Sequence, residues 1–282
     1  MKTILVPTDF SKVANNATDV AFNMAKKAGA NVLLLHIVEG LSQGSFNVEG
    51  QIAVGTDYTD KLFTLKLIEK SKNQLQKVVT NPKYSTVKVD GELKMGNPFH
   101  GIQSMITKNK VDLIVMGTEG RTSLTDALIG SNTEKVIRHS HCPVLTVSKV
   151  PVKTKYDNIV YATSMTESEE AFSPIVKNIQ NLYNSKIHLL RVNTPGSFTP
   201  DHEVIKQLNS FAKRVKLKNF TVNIYNDLTV EMGILRFTEM NQGDLIAIDT
   251  HSRWNFSHLI SGSVAEAVVR SSKCPVLTYV IG

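Results

Sequence analysis

Residues 111–147 read VDLIVMGTEGRTSLTDALIGSNTEKVIRHSHCPVLTV, and residues 243–279 read GDLIAIDTHSRWNFSHLISGSVAEAVVRSSKCPVLTY. The stretches are equal in length. They share Asp-Leu-Ile near the start, a Gly-Ser pair inside and Cys-Pro-Val-Leu-Thr near the end, all in the same register. A duplication of this kind constrains the fold more than any single motif, because whatever topology one copy adopts must also suit the other. A length of 282 residues accommodates two domains of ordinary size.

Each copy closes a longer alternation. In the first half the apolar run 3–7 precedes a segment where Val13, Ala17, Val20, Ala21, Met24 and Ala25 recur three and four apart, the spacing of one helix face. Ser11 is placed to cap that helix and Gly29 to end it. Residues 31–38 (NVLLLHIV) form a continuous apolar run, as expected of a strand covered on both faces. Residues 39–58, with four glycines, read as a long loop. Helical spacing returns over 59–80, with Leu62, Leu65, Ile68, Leu75 and Val78 as its apolar positions. Residues 85–93 read as a strand, 96–98 as a turn, 99–108 as a helix, and 112–116 and 144–147 as strands. After a polar link at 148–155 the order restarts: strand 158–162, helix 167–182, strand 186–192, helix 204–215, strand 220–225, helix 230–241 and strand 244–248. This alternation predicts an α/β protein, a parallel sheet in each half with helices on both faces and right-handed crossovers. The domains are placed at 1–148 and 156–282.

Open parallel sheets bind ligands beyond the carboxyl ends of their strands, where strand order reverses. The first and fourth strands end at Thr8-Asp9 and Met116-Gly117; as neighbours, these ends face one crevice. Gly117, Gly120 and Gly130-Ser131 follow the pattern G-x2-G-x9-G-S. Glycines at 117 and 120 allow close approach of a ligand and positive φ. Gly130-Ser131-Asn132-Thr133 opens a helix whose unbonded N–H groups and positive dipole end suit a phosphate, with the Ser131 and Thr133 hydroxyls as further donors. Arg121 matches phosphate oxygens bidentately. Two competing assignments stay open. Ser131-x-x-Glu134 is also a capping box, repeated as Ser263-x-x-Glu266. Arg121 recurs as Arg253, which equally suits a structural or interface role. In the second half Pro7 becomes Ala162, Asp9 becomes Ser164, Gly117 becomes Asp249 and Gly120 becomes Ser252, while Gly96-Asn97-Pro98 becomes Leu228-Thr229-Val230. A carboxylate beside the phosphate path and a lost close approach predict that the second copy takes no triphosphate.

Several motifs together resemble the universal stress protein family: residues 4–11 (ILVPTDFS), residues 34–38 (LLHIV), Gly96-Asn97-Pro98, Met116-Gly117, the glycine pattern and residues 142–145 (CPVL). The whole chain resembles the tandem two-domain members, and the glycine pattern resembles the ATP-binding branch. The resemblance implies two doubly wound domains, each a five-stranded parallel sheet of order 3-2-1-4-5, and an adenine nucleotide (ATP, ADP or AMP) in the first. It implies that Pro7, Thr8 and Asp9 line the adenine and ribose side, that Val38 lies on the adenine, that Met116, Gly117 and Gly120 flank ribose and phosphates, and that Gly130, Ser131, Asn132 and Thr133 hold the phosphates. It further implies a divalent ion such as Mg, with Asp9 placed to orient it through water; the residues by themselves identify no metal site. Pairing of the two domains through strands 144–147 and 276–280 is implied within the chain, with a homodimer and an unidentified protein partner as further associations.

Other classes find no support. The formal charge of +7 comes from lysines spread along the chain, without an RRM, KH or helix-turn-helix signature, so no nucleic-acid partner is expected. The first apolar run is too short for a signal peptide, and no run reaches roughly 18 apolar residues, so a soluble cytoplasmic protein without a membrane partner is expected. Cys142 and Cys274 occupy one repeated position and are expected to be buried packing groups. His139 and His141, two apart, point away from each other on a helix and make a poor shared metal site. His36 and His188 lie in the second strands at near-equivalent places and are expected to be satisfied core histidines. There is no G-x4-G-K-[ST] and no S-G-G-x-D-S. No catalytic residue is assigned. The expected function is a nucleotide-dependent stress-response regulator or interaction protein; a slow ATPase or self-phosphorylating enzyme, and a nucleotide-free interaction scaffold, are the alternatives.

Overall fold

The computed structural model describes residues 1–39, 45–46, 52–53, 58–119, 129–149, 153–250 and 263–280. The first half contains β1 (Thr3–Pro7), α1 (Lys12–Ala28), β2 (Asn31–Val38), the two-residue strands β3 (Ser45–Phe46) and β4 (Ile52–Ala53), α2 (Tyr58–Val79), β5 (Val89–Met95), α3 (Pro98–Asn109), β6 (Leu113–Gly117), α4 (Ser131–His139) and β7 (Val144–Val147). The second contains β8 (Asn158–Ala162), α5 (Ser173–Tyr183), β9 (Lys186–Asn193), α6 (Asp201–Arg214), β10 (Phe220–Asn226), α7 (Val230–Met240), β11 (Leu245–Asp249), α8 (Val264–Ser271) and β12 (Val276–Tyr279).

One ten-stranded sheet runs β5-β2-β1-β6-β7-β12-β11-β8-β9-β10. Within each half all pairs are parallel and the order is 3-2-1-4-5. The halves meet at the antiparallel pair β7–β12, with Leu145 opposite Leu277. The repeated Cys-Pro-Val-Leu-Thr explains this seam. Its threonines bond reciprocally, Thr146 Oγ1 donating to Val276 O (3.1 Å) and Thr278 Oγ1 to Val144 O (3.3 Å). Arg138 adds a bidentate pair across it, Nε and Nη2 donating to Glu266 at 2.6 and 2.8 Å. Cys142 is buried beneath the seam strands, and burial with Asp112 nearby pushes its thiol up to about 12. Cys274 is half-buried, its thiol also raised by burial.

Local chemistry explains most element ends. Ser11 Oγ accepts from Ala14 N–H at the start of α1, and Gly29 ends it at φ 63°. Gly96 turns at φ 115° before Asn97 caps α3. Three expectations are corrected. The strand expected at 85–93 begins only at Val89, because Pro82–Tyr84 forms a 3₁₀ turn capped by Asn81, and Tyr84 is buried in a stack on Phe22 (3.7 Å). The helix expected at 167–182 is interrupted: residues Glu167–Ala171 form a 3₁₀ turn, and α5 starts at Ser173. The stretch 39–58 contains the short β3–β4 pair and the first residue of α2. No helix among the described residues is long and apolar enough to cross a membrane.

Candidate functional site

In the first half, the carboxyl ends of β1, β2 and β6 open into a cavity of about 550 Å3. It lies where the strand order reverses, the place at which doubly wound sheets bind ligands.

Pro7, Thr8 and Asp9 reach it from the end of β1. A tight turn holds them: Thr8 N–H donates to Leu35 O (2.8 Å), Thr8 Oγ1 accepts from Phe10 N–H (3.0 Å) and Asp9 Oδ1 accepts from Ser11 N–H (2.9 Å). These bonds support Phe10 at φ 62°, a conformation that non-glycine residues rarely adopt, and launch α1 directly from the strand. Val38 lines the cavity from β2. His36 lines it too, which corrects its assignment to the core. Its Nδ1 lies 2.7 Å from Thr8 O and its ring packs on Phe10 at 4.5 Å, so it is satisfied but stands in the wall.

Met116 and Gly117 come from β6. Gly117 has no positive φ among the described residues, and its role is different from the one expected. A Cβ there would lie 2.9 Å from Val13 Cγ1 and 3.2 and 3.3 Å from the backbone of Val13 and Ala14. The glycine lets α1 pack against the end of β6, and it lines the cavity itself.

Gly130, Ser131, Asn132 and Thr133 line the far side at the start of α4. The capping box expected at Ser131 does not form. Gly130 is the N-cap, without a side-chain cap, and Ser131 is already helical and exposed. The first-turn N–H groups have no acceptor inside the helix, and no side chain among the described residues caps them. Thr133 Oγ1 donates to Gly117 O (2.9 Å), so that hydroxyl proton ties α4 to β6 and is not offered to a ligand. In the second half Ser263 does cap its helix, its Oγ accepting from Glu266 N–H, while the Glu266 carboxylate is engaged by Arg138. Gly120 and Arg121 lie outside the described residues, as do Ser252 and Arg253.

Sequence reasoning missed part of the wall. Leu67, Lys70, Ser71 and Gln74 of α2, Pro98 and Ile102 of α3, and Glu119 line the same cavity. Glu119 pairs with Lys149 at 2.7 Å. The α2 residues are spaced three and four apart, and that spacing was the available signal. The face read from apolar residues included Leu62 and Leu65, which are exposed.

The corresponding region of the second half is built from charge. Thr163 repeats the backbone bonds of Thr8, donating to Leu190 O and accepting from Met165 N–H, and Met165 repeats the left-handed φ at 64°. Here, however, Thr163 Oγ1, Ser164 Oγ and Ser164 N–H all donate to the carboxylate of Glu169, which is 1% exposed. Strand register aligns His36 with Arg191 and Leu33 with His188, so the two histidines are not equivalent. Burial pushes the Arg191 guanidinium down, and neighbouring Glu169 opposes that shift. Asp249, 2% exposed, stands where Gly117 stands in the first half. Both carboxylates act on Tyr161, whose hydroxyl is raised well above its ordinary value, chiefly by burial.

Against known proteins, the family model described as "Universal stress protein family" matches residues 1–148 and 155–279. The chain is 36% identical over 148 residues to universal stress protein MJ0531 of Methanocaldococcus jannaschii, covering 52% of this chain and 82% of that protein. It is 26% identical over 296 residues to universal stress protein Slr1230 of Synechocystis, covering 99% and 100%. A crystal structure of a universal stress protein from Archaeoglobus fulgidus superposes with a TM-score of 0.75 at 20% identity, covering 99% of this chain and 98% of that one.

Proposed function

Because the chain belongs to the universal stress protein family, we propose that its first half binds an adenine nucleotide and that the protein works as a nucleotide-dependent interaction protein of the cytoplasm. The observation that carries this reading is the polarity of the cavity. Leu35, Ile37, Val38 and Ile102 give it an apolar lining that suits a base, and the uncapped N-terminus of α4 suits phosphate. The turn at Thr8 and Asp9 lies between them and suits a ribose. A cavity of about 550 Å3 falls in the range of small-molecule and cofactor sites.

Within this reading Pro7, Thr8 and Asp9 line the base and ribose with Val38 on the base, Met116, Gly117 and Gly120 flank ribose and phosphates, and Gly130 to Thr133 hold the phosphates, with Arg121 as a further phosphate contact. A Mg ion would sit by the phosphates with Asp9 orienting its water. The domains are 1–148 and 156–282, the second acting as a built-in partner in place of a second copy. A second protein reads the nucleotide-loaded state.

Mass spectrometry of gently purified protein is expected to find a retained ATP, ADP or AMP, and calorimetry to find one site per chain. Absence of any retained nucleotide, together with no binding of ATP, ADP or AMP at millimolar concentration, would sink the proposal.

A further inference from the structure

The side of α2 that faces the cavity has no role in the reading above beyond forming a wall. Ser71 is 3% exposed, lines the cavity, and its hydroxyl bonds to no described residue; Gln74, one turn on, lines it as well and has no hydrogen-bond partner among them. Both side chains therefore present polar atoms to the cavity, where a molecule entering it can meet them.

Topology fixes which end of the cavity this is. Helix α2 packs over β2 and β5, on the opposite side of β1 from β6 and α4. It comes close because β5 carries Gly91, where a Cβ would lie 2.9 Å from Val79 and 3.0 Å from Leu75. Leu34 of β2 shares a core with Leu75 of α2, whereas Leu35 shares one with Ile102 of α3. By strand alternation His36 and Val38 therefore lie on the α2 side.

Resting on the nucleotide reading, we infer that Ser71 and Gln74 read the polar edge of a purine base whose ring lies by Val38. A carboxamide offers an acceptor and a donor side by side. The amino group and adjacent ring nitrogen of adenine offer the complementary pair, and Ser71 adds a hydroxyl that can donate or accept. Lys70, exposed at the mouth, is not part of this contact.

The test titrates the full chain with a non-hydrolysable ATP analogue, the same analogue lacking the 6-amino group, and tripolyphosphate. In the unmodified protein, loss of the amino group is expected to weaken binding about tenfold. Gln74→Ala and Gln74→Glu, each checked for an unchanged thermal transition, are expected to weaken the ATP analogue about tenfold. They should leave tripolyphosphate unchanged and have little further effect on the deaminated analogue. Ser71→Ala should act in the same direction. Equal affinity of the unmodified protein for both analogues overturns the inference without any variant. So does equal weakening of tripolyphosphate by the Gln74 variants. An ATP analogue bound equally well by folded Gln74 and Ser71 variants overturns it while leaving the nucleotide reading intact. Failure of the unmodified chain to bind either analogue overturns both.

Discussion

The two halves share one topology and differ at the same three places around the site. At the end of the first strand, the first half turns through Asp9 and Ser11 straight into α1, while the second inserts a 3₁₀ turn that swings Glu169 inward. In the second strand His36 is matched by Arg191. At the end of the fourth strand Gly117 is matched by Asp249. These differences belong together. Gly117 is needed because α1 begins early and presses on β6; a later helix start leaves room for the buried Asp249, and the buried Glu169 then acts on the half-buried Arg191 guanidinium. The second half has an ionic core where the first has a cavity.

The most severe way to break this contrast is to write the second half into the first. Gly117→Asp places a Cβ within 3.3 Å of the α1 backbone and a carboxylate beside the proposed phosphate end. Nucleotide binding is expected to fall more than about 100-fold, equivalent to roughly 2.7 kcal/mol. Gly117→Ala carries the same steric insult without the charge and is expected to cost about 1–3 kcal/mol of stability, as overpacking does. Calorimetric titration of both, beside denaturant melts, separates packing from repulsion. Retained affinity in Gly117→Asp would show that the two strand ends are not functionally distinct.

The converse change tests the ionic core. Glu169→Ala removes the acceptor for Thr163 and Ser164 and the carboxylate nearest in effect to Arg191. Leaving buried donors without their acceptor costs about 1–3 kcal/mol. In the first half the matching position is His36, whose Nδ1 lies 2.7 Å from the Thr8 carbonyl oxygen. A urea midpoint unchanged by Glu169→Ala would mean the carboxylate is not structural.

The repeat made the architecture legible. Two copies of a strand–loop–helix–strand stretch, each ending in Cys-Pro-Val-Leu-Thr, were enough to foresee two parallel sheets, and the seam formed by those threonines follows from them. The order 3-2-1-4-5 came from family resemblance and is the order observed. Site chemistry was less legible, because it depends on what packs behind each residue. Gly117 lines the cavity, but it is the packing of α1, and not a positive φ, that forbids its side chain. Ser131 matched a capping box by spacing, but helix α4 starts one residue earlier than its repeat, and that shift removes the cap. His36 and His188 were paired by residue type when register separates them by three positions. Glu169 and the polar face of α2 carried no motif; each matters only through where the fold brings it.

A smaller effect probes the junction between halves. Arg138 serves both Glu134 (2.8 Å) and Glu266 (2.6 Å), and Glu266 is 3% exposed. Its repeat equivalent Arg270 makes no ion pair among the described residues. Arg138→Ala is expected to cost about 2 kcal/mol, because the buried Glu266 loses its partner, reduced from the fully buried case by the exposure of the arginine. Arg270→Ala should stay within about 0.5 kcal/mol. Equal effects of the two changes on the urea midpoint would contradict the asymmetry of the seam.

The smallest expected effect separates His188 from its equivalent, Leu33. The His188 ring is buried, with Nε2 3.1 Å from Asn158 Oδ1 and Nδ1 3.3 Å from Thr221 Oγ1. A neutral ring serves both, donating to the carbonyl oxygen of Asn158 and accepting from the hydroxyl of Thr221. Burial, and then the nearby charge of Lys186, hold its pKa below the ordinary 6.5. The folded chain therefore binds this proton less readily than the unfolded chain, so protonation favours unfolding. The contribution is fully present above the unfolded value near 6.5 and declines as pH falls through the lower folded value. His188→Leu, which copies the first half, should reduce the drop in urea midpoint between pH 7.5 and pH 5 relative to the parent. Its lost bonds to Asn158 and Thr221 lower the midpoint at both pH values, so the difference between them is the quantity to read. A drop of the same size in parent and variant would mean that other groups titrate in this window and that His188 is silent.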